Sequence, residues 1–132
     1  IWRCGGNSMI GRIYSSVIPY YDRLTHKNSY KKRPVLILSG PRNNDYTVLP
    51  ISTISNKANV DTDYDIEVKP SQYPLLNLNQ VSYIRTHKQT TVHKASLTSE
   101  IGNLKNNYEE LYLTVLGKLE DYNKQIMDSA LG

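Results

Sequence analysis

Apolar and polar residues alternate in short runs over the first two thirds of the chain, and recur every three to four residues in the last third. Gly11-Arg12-Ile13-Tyr14-Ser15-Ser16-Val17-Ile18 mixes the two kinds, carries β-branched residues and stops at Pro19, which predicts a strand. The polar, basic stretch from Tyr21 to Lys32, with Asn28, Ser29 and paired lysines, reads as a long mobile loop. Pro34-Val35-Leu36-Ile37-Leu38-Ser39 is continuously apolar, the pattern of a strand buried on both faces. Gly40-Pro41-Arg42-Asn43-Asn44-Asp45 is rich in turn residues and leads to a return strand over residues 46–53, completing a hairpin. Tyr64-Asp65-Ile66-Glu67-Val68 alternates as a half-exposed strand, Pro70 and Pro74 punctuate the next loop, and residues 81–86 and 90–94 read as two more strands. About six short strands at close spacing, with no helix between them, predict a small antiparallel barrel or strongly curved sheet.

The pattern changes at Leu97-Thr98-Ser99-Glu100, where a Thr/Ser cap stands before an acidic residue. From there Leu104, Tyr108, Leu111, Tyr112, Val115 and Leu119 recur at helical spacing, predicting a C-terminal helix that ends near Met127. Such a Tyr/Leu stripe reads as core packing rather than a ligand site. The predicted class is α+β: a small antiparallel β-barrel with a C-terminal α-helix.

A length of 132 residues allows one domain with one modest core. No run of eighteen apolar residues occurs, so no helical membrane span is expected. Residues 1–8 lack the apolar stretch of a signal peptide and are followed by Met9. They read as an upstream extension, leaving residues 9–132 as a single domain. The extension holds the only cysteine, Cys4, and the only tryptophan, Trp2. A domain without cysteine has neither a disulfide framework nor a zinc-thiolate site, and suits a reducing cytoplasm. No His/Asp/Glu cluster has metal-ligand spacing and no glycine-rich phosphate loop is present, so metalloenzyme and nucleotide-hydrolase readings fail and no cofactor is expected. A formal charge of +4 and a pI near 9.1 favour an anionic partner. Eleven tyrosines and no phenylalanine supply rings that can fill a core or stack on bases.

Four segments carry a family resemblance: Gly11-Arg12-Ile13-Tyr14, then Lys32-Arg33-Pro34-Val35-Leu36-Ile37-Leu38-Ser39, then Val48-Leu49-Pro50-Ile51-Ser52-Thr53, then Leu78-Asn79-Gln80-Val81. In this order, and with the closing helix, they resemble the MazF/PemK family of toxin–antitoxin ribonucleases over residues 11–127. The resemblance implies an SH3-like barrel working as a homodimer in the bacterial cytoplasm. It implies sequence-selective cleavage of single-stranded RNA without a metal, leaving a 2′,3′-cyclic phosphate and a 5′-hydroxyl and so stopping translation. It also implies a cognate antitoxin that blocks the site with an extended acidic segment, and weak DNA association through that complex.

Cleavage of this kind uses the RNA 2′-hydroxyl as nucleophile, so the protein must accept its proton, stabilise the phosphorane and protonate the leaving oxygen. Arg33 suits the second task, because a guanidinium holds two phosphate oxygens and stays charged; Pro34 restricts its backbone to extended geometry. Taken alone, an arginine at a strand start reads as a salt bridge. In the family pattern the residue two places after the strand proline is a threonine that touches the scissile phosphate. Ser52 stands there, and Thr53 takes the role if the register is off by one. Taken alone, these hydroxyls read as backbone caps. Asn79 departs from the family, which often has an acidic residue before the glutamine matched by Gln80; an amide cannot be a general base at neutral pH. Histidines have suitable pKa values, and His26, His87 and His93 are the candidates. Two basic runs, His26, Lys27, Lys31, Lys32 with Arg33, and Arg85, His87, Lys88 with Lys94, interleave with Tyr20, Tyr21, Tyr30 and Tyr83, a pairing suited to single strands. Together with Asn79 and Gln80, the residues expected to bind RNA are therefore His26, Lys27, Lys31, Lys32, Arg85 and Lys88. Two other readings compete: a binding toxin on the same barrel that poisons DNA gyrase, as the related CcdB toxins do, and an RNA-binding module that does not cleave.

Overall fold

The computed structural model describes residues 8–132. The expected extension, with Trp2 and Cys4, therefore lies outside the described residues except for Ser8. Seven strands, β1 (Arg12–Asp22), β2 (Lys27–Arg42), β3 (Asp45–Ser52), β4 (Asp65–Val68), β5 (Ser82–Arg85), β6 (Thr90–His93) and β7 (Leu97–Asn103), precede a one-turn helix α1 (Leu104–Asn107) and a long helix α2 (Glu109–Leu131). The strands form one curled antiparallel sheet in the order β4-β5-β3-β2-β1-β7, with β6 paired to the first half of β3. It is a half-barrel: β4 and β7 remain its two edges.

Side chains alternate between an inner face turned to α2 and an outer face. Ile13, Leu36, Leu49, Ile51, Val68 and Ile84 point inward and pack with Leu104, Leu111, Tyr112 and Val115. Val35, Ile37, Tyr46 and Val48 form a second cluster on the outer face, covered by Ile10, Tyr14, Val92 and Leu97. The unbroken apolar run of β2 is thus explained, since Leu36 serves one cluster and its neighbours the other. Full burial of each such side chain contributes about 1.5–3 kcal/mol. The helical stripe is also as expected: Leu104, Leu111, Tyr112 and Val115 are buried, with Tyr108 and Leu119 against the same core.

Two stretches differ from expectation. Residues 21–32 are not a mobile loop: β1 and β2 stay paired from Ile13↔Leu36 out to Asp22↔Lys27, forming a projecting two-stranded ribbon. Backbone pairing does not require apolar side chains, and tyrosines at positions 20, 21 and 30 favour extended backbone. At the tip, Asp22 Oδ1 accepts from Leu24 N–H at 2.9 Å, and His26 takes the left-handed conformation at φ 56. Leu97-Thr98-Ser99-Glu100 is likewise not a helix cap but the start of β7, because the edge of β1 needs a partner. Thr98 Oγ1 donates to the Ser15 carbonyl at 3.2 Å, and Arg12 pairs with Glu100 at 2.8 Å. Helix begins after Asn103, whose side chain accepts from Asn106 N–H at 3.1 Å. Gly102 lies so close to the turn at residues 74–76 that a Cβ would sit 2.9 Å from the Leu76 Cα.

Candidate functional site

Beyond the apolar outer cluster the outer face turns polar. Ser16 on β1 is paired with Arg33 on β2. Pairing between β2 and β3 ends at Val35↔Pro50, so Arg33 and Ser52 each lie two residues further along and, by alternation, on the same face. Ser52 is paired with Tyr83 on β5, and Tyr83 with Glu67 on β4. Ser16, Arg33, Ser52, Tyr83 and Glu67 thus form a line across five neighbouring strands, in which directly paired residues have Cβ atoms about 4.5–5.5 Å apart.

Lys57, from a 3₁₀ turn (Lys57–Asn59), leans onto this line. Its Nζ donates to Tyr83 Oη at 2.9 Å, and Tyr83 Oη donates to Glu67 Oε2 at 3.3 Å. The ammonium groups of Lys57 and Lys69 stand 4.0 and 3.9 Å from the Glu67 carboxylate. Tyr83 is buried, while Lys57 and Glu67 reach solvent. The hydrogen bond to Tyr83, with the nearby phenol and carboxylate, holds the Lys57 ammonium above the usual lysine pKa. Ser16 Oγ is buried with no hydrogen-bond partner among the described residues.

On the inner face, beside the helix-covered core, a cavity of about 350 Å³ is lined by Lys32, Thr53, Asn77, Asn79, Gln80 and Ser82, among others. Asn77 adopts the left-handed conformation, and its Nδ2 donates to the Ile101 carbonyl at 2.8 Å. Ser82 Oγ donates to the Gln80 carbonyl at 2.9 Å. These bonds anchor the segment that brings the Asn79 and Gln80 amides to the cavity. Lys32 and Arg33 are consecutive, as are Ser52 and Thr53, so each pair is divided between the two faces: Arg33 and Ser52 outward, Lys32 and Thr53 in the cavity.

The other basic residues are dispersed. His26 and Lys27 stand at the ribbon tip, and Lys31 lies over the Tyr20 ring with Nζ 4.3 Å from its centroid. Lys88 is exposed in the turn between β5 and β6. Arg85, expected to bind RNA, is instead committed to the protein: Nε and Nη2 donate to the fully buried Asp65 carboxylate at 3.0 and 3.2 Å. None of the histidines joins the outer line or the cavity. His87 sits 3.8 Å from Asp61 and 3.7 Å from Asp65, near Tyr64 and Tyr122. His93 Nδ1 accepts from Ala95 N–H at 3.0 Å, and His26 is at the tip. Among the described residues, no group of three or more His, Cys, Asp or Glu is placed to hold a metal ion, and no helix is long and apolar enough to cross a membrane.

Sequence reasoning did not single out Glu67, Lys57 or Ser16. Alternation through residues 64–68 does put Glu67 on an exposed face, but only strand register brings it beside Tyr83, and only the turn at residues 57–59 brings Lys57 over both.

Residues 18–119 match the family model described as PemK-like, MazF-like toxin of type II toxin–antitoxin system. Among solved structures, the chain is similar to the Mycobacterium tuberculosis toxin MazF-mt6, with a TM-score of 0.56 and 24% identity, over 83% of this chain and 96% of that one. That likeness concerns the fold, the curled sheet with its C-terminal helix. No curated protein sequence matches the chain. The family match spans most of the chain, from the ribbon through the strands that carry Arg33, Ser52, Glu67 and Tyr83 and into the helix, and on that ground the protein belongs to the PemK-like, MazF-like toxins of type II toxin–antitoxin systems.

Proposed function

We propose that this toxin is a metal-independent, sequence-selective endoribonuclease that cuts single-stranded RNA by attack of the 2′-hydroxyl on the adjacent phosphate. The observation that carries the reading is the common face of Arg33 and Ser52, two residues past the last β2–β3 pair and next to Tyr83 in register. A guanidinium there grips two nonbridging oxygens and stabilises the charge of the phosphorane, and the Ser52 hydroxyl donates to the same phosphate. Thr53, Lys32, Asn79 and Gln80 border the cavity behind this line, where an unstacked base can be read by amide hydrogen bonds. Lys27, Lys31 and His26, with Tyr20, Tyr21 and Tyr30, extend the track along the ribbon, and Lys88 adds an exposed cation. Arg85 drops out of the RNA-binding set because Asp65 holds it. A cognate antitoxin partner follows from membership of the type II family; the homodimer and any weak DNA association through the antitoxin complex are part of this proposal.

The test is incubation of the toxin with a long defined RNA in EDTA, followed by mapping of ends, with Arg33→Ala alongside. Discrete cuts bearing 5′-hydroxyls, slowed at least about a hundredfold in an equally folded Arg33→Ala protein, are expected. Equal rates would remove Arg33 from the site. Intact RNA with the unaltered toxin would sink the ribonuclease reading and direct attention to gyrase inhibition or to RNA binding without cleavage.

A further inference from the structure

We propose that Lys57, Tyr83 and Glu67 are the proton-transfer chain of this site, with Glu67 the general base, Lys57 the general acid and Tyr83 the positioning residue between them. The inference rests on the ribonuclease reading above. That reading leaves proton transfer unassigned, because Asn79 cannot accept a proton and the three histidines stand away from Arg33 and Ser52. The line of paired residues through Ser52 and Tyr83 ends on a carboxylate, Glu67. Every hydrogen bond in the chain points the same way, from Lys57 to Tyr83 and from Tyr83 to Glu67. Both ends are open to a bound strand, with side-chain exposures of 74% for Lys57 and 41% for Glu67, while the link is only 4% exposed.

The separation suits the chemistry. Lys57 Nζ and Glu67 Oε2 are 4.0 Å apart. Paired metal ions that serve the attacking and leaving oxygens of an in-line phosphoryl displacement stand about 3.5–4 Å apart. In the step itself, the Glu67 carboxylate accepts the proton of the 2′-hydroxyl as the 2′-oxygen bonds to phosphorus. The bond from phosphorus to the 5′-oxygen breaks, and that oxygen takes a proton from the Lys57 ammonium. The products are the 2′,3′-cyclic phosphate and the 5′-hydroxyl, leaving Glu67 protonated and Lys57 neutral. Tyr83 touches both and resets them: its oxygen takes the Glu67 proton as its own proton passes to Lys57. The raised proton affinity of Lys57 favours this return.

Single-turnover cleavage of an RNA with a known cut site, in EDTA, tests the chain with Glu67→Gln, Lys57→Ala and Tyr83→Phe. Glu67→Gln and Lys57→Ala should each slow cleavage at least about a hundredfold. Affinity for the same RNA carrying a 2′-O-methyl group at the cut should change by less than about threefold. Glu67 faces Lys57, Lys69 and Tyr83, and the next pair along the face is Asp65 with Arg85, with His87 beside Asp65. As the carboxylate assigned to take the 2′-proton, Glu67 should set the acidic limb of the pH–rate profile, and Glu67→Gln should abolish it. An RNA with sulfur in place of the leaving 5′-oxygen needs no proton at departure, so it should restore Lys57→Ala and leave Glu67→Gln slow. Tyr83→Phe should cut readily in this single-turnover assay and slow only with substrate in excess, after its first turnover. Wild-type rates and pH profile in Glu67→Gln and Lys57→Ala would overturn the chain while the ribonuclease reading stood. Parallel loss of affinity for the 2′-O-methyl RNA would also overturn it, by making these groups binding residues. An unaltered toxin that cuts nothing would remove the parent reading and this one with it.

Discussion

Arg85 and Arg33 look alike in the sequence as basic residues beside apolar runs, yet the fold gives them different neighbours. The Asp65 carboxylate is fully buried and receives two bonds from Arg85 and a third from the Asp61 backbone N–H at 2.8 Å. Removing the cation leaves a buried carboxylate unpaired, so Arg85→Ala should destabilise the fold by about 3–5 kcal/mol in urea unfolding. RNA affinity per folded molecule should stay unchanged. A large loss of affinity at wild-type stability would return Arg85 to the RNA-binding set. Arg33 is paired with Ser16 and shares a face with Ser52, and among the described residues it makes no ion pair, which leaves its guanidinium available for phosphate. The sequence singles out Arg33 and Ser52 as candidates through motif and spacing, but cannot distinguish Arg85, because the aspartate that claims it lies twenty residues away in the chain.

At the scale of elements, the chief surprises are the ribbon and β7, both polar segments held extended by their partners. Polar composition argued for a loop at residues 21–32 and a capping box argued for helix at residues 97–100. Both signals are local, and pairing with β1 overrides them. Gly102 records how closely β7 runs past the turn at residues 74–76, where the obstructing atoms are backbone and cannot swing aside. Gly102→Ala should therefore cost about 1–3 kcal/mol, read as a lowered denaturation midpoint. An unchanged midpoint would mean that this approach relaxes freely. The same contact bears on the candidate site, because Leu76 is followed by the Asn77–Gln80 segment that lines the inner cavity.

For the whole molecule, charge and tyrosine content have measurable consequences. If Lys27, Lys31, Lys32 and Arg33 meet phosphates, RNA affinity should fall with salt at a logarithmic slope of about −0.7 per phosphate neutralised. A flat response would place these cations away from the strand. Burial raises the Tyr112 and Tyr14 phenols above the ordinary value of 10.0. The neutral phenol is favoured in the fold, so this stabilisation is complete below pH 10 and is lost as pH rises through the folded-state values. Thermal midpoints should accordingly decline above pH 10, and Tyr112→Phe should flatten part of the decline. A Tyr112→Phe protein with the wild-type alkaline slope would show that this ring ionises as freely in the fold as outside it.

The sequence by itself determined the fold class, the two-sided burial of β2, the core stripe of α2 and the family, because these depend on periodicity and on ordered motifs along the chain. It also marked Arg33 and Ser52 as candidates, by their distance from neighbouring prolines. Only the tertiary structure decided which face each residue of the pairs Lys32-Arg33 and Ser52-Thr53 occupies relative to the cavity, that Asp65 claims Arg85, and that Glu67, Tyr83 and Lys57 meet beside Ser52. Those outcomes depend on strand register and sheet curl, which bring together residues that no local pattern relates.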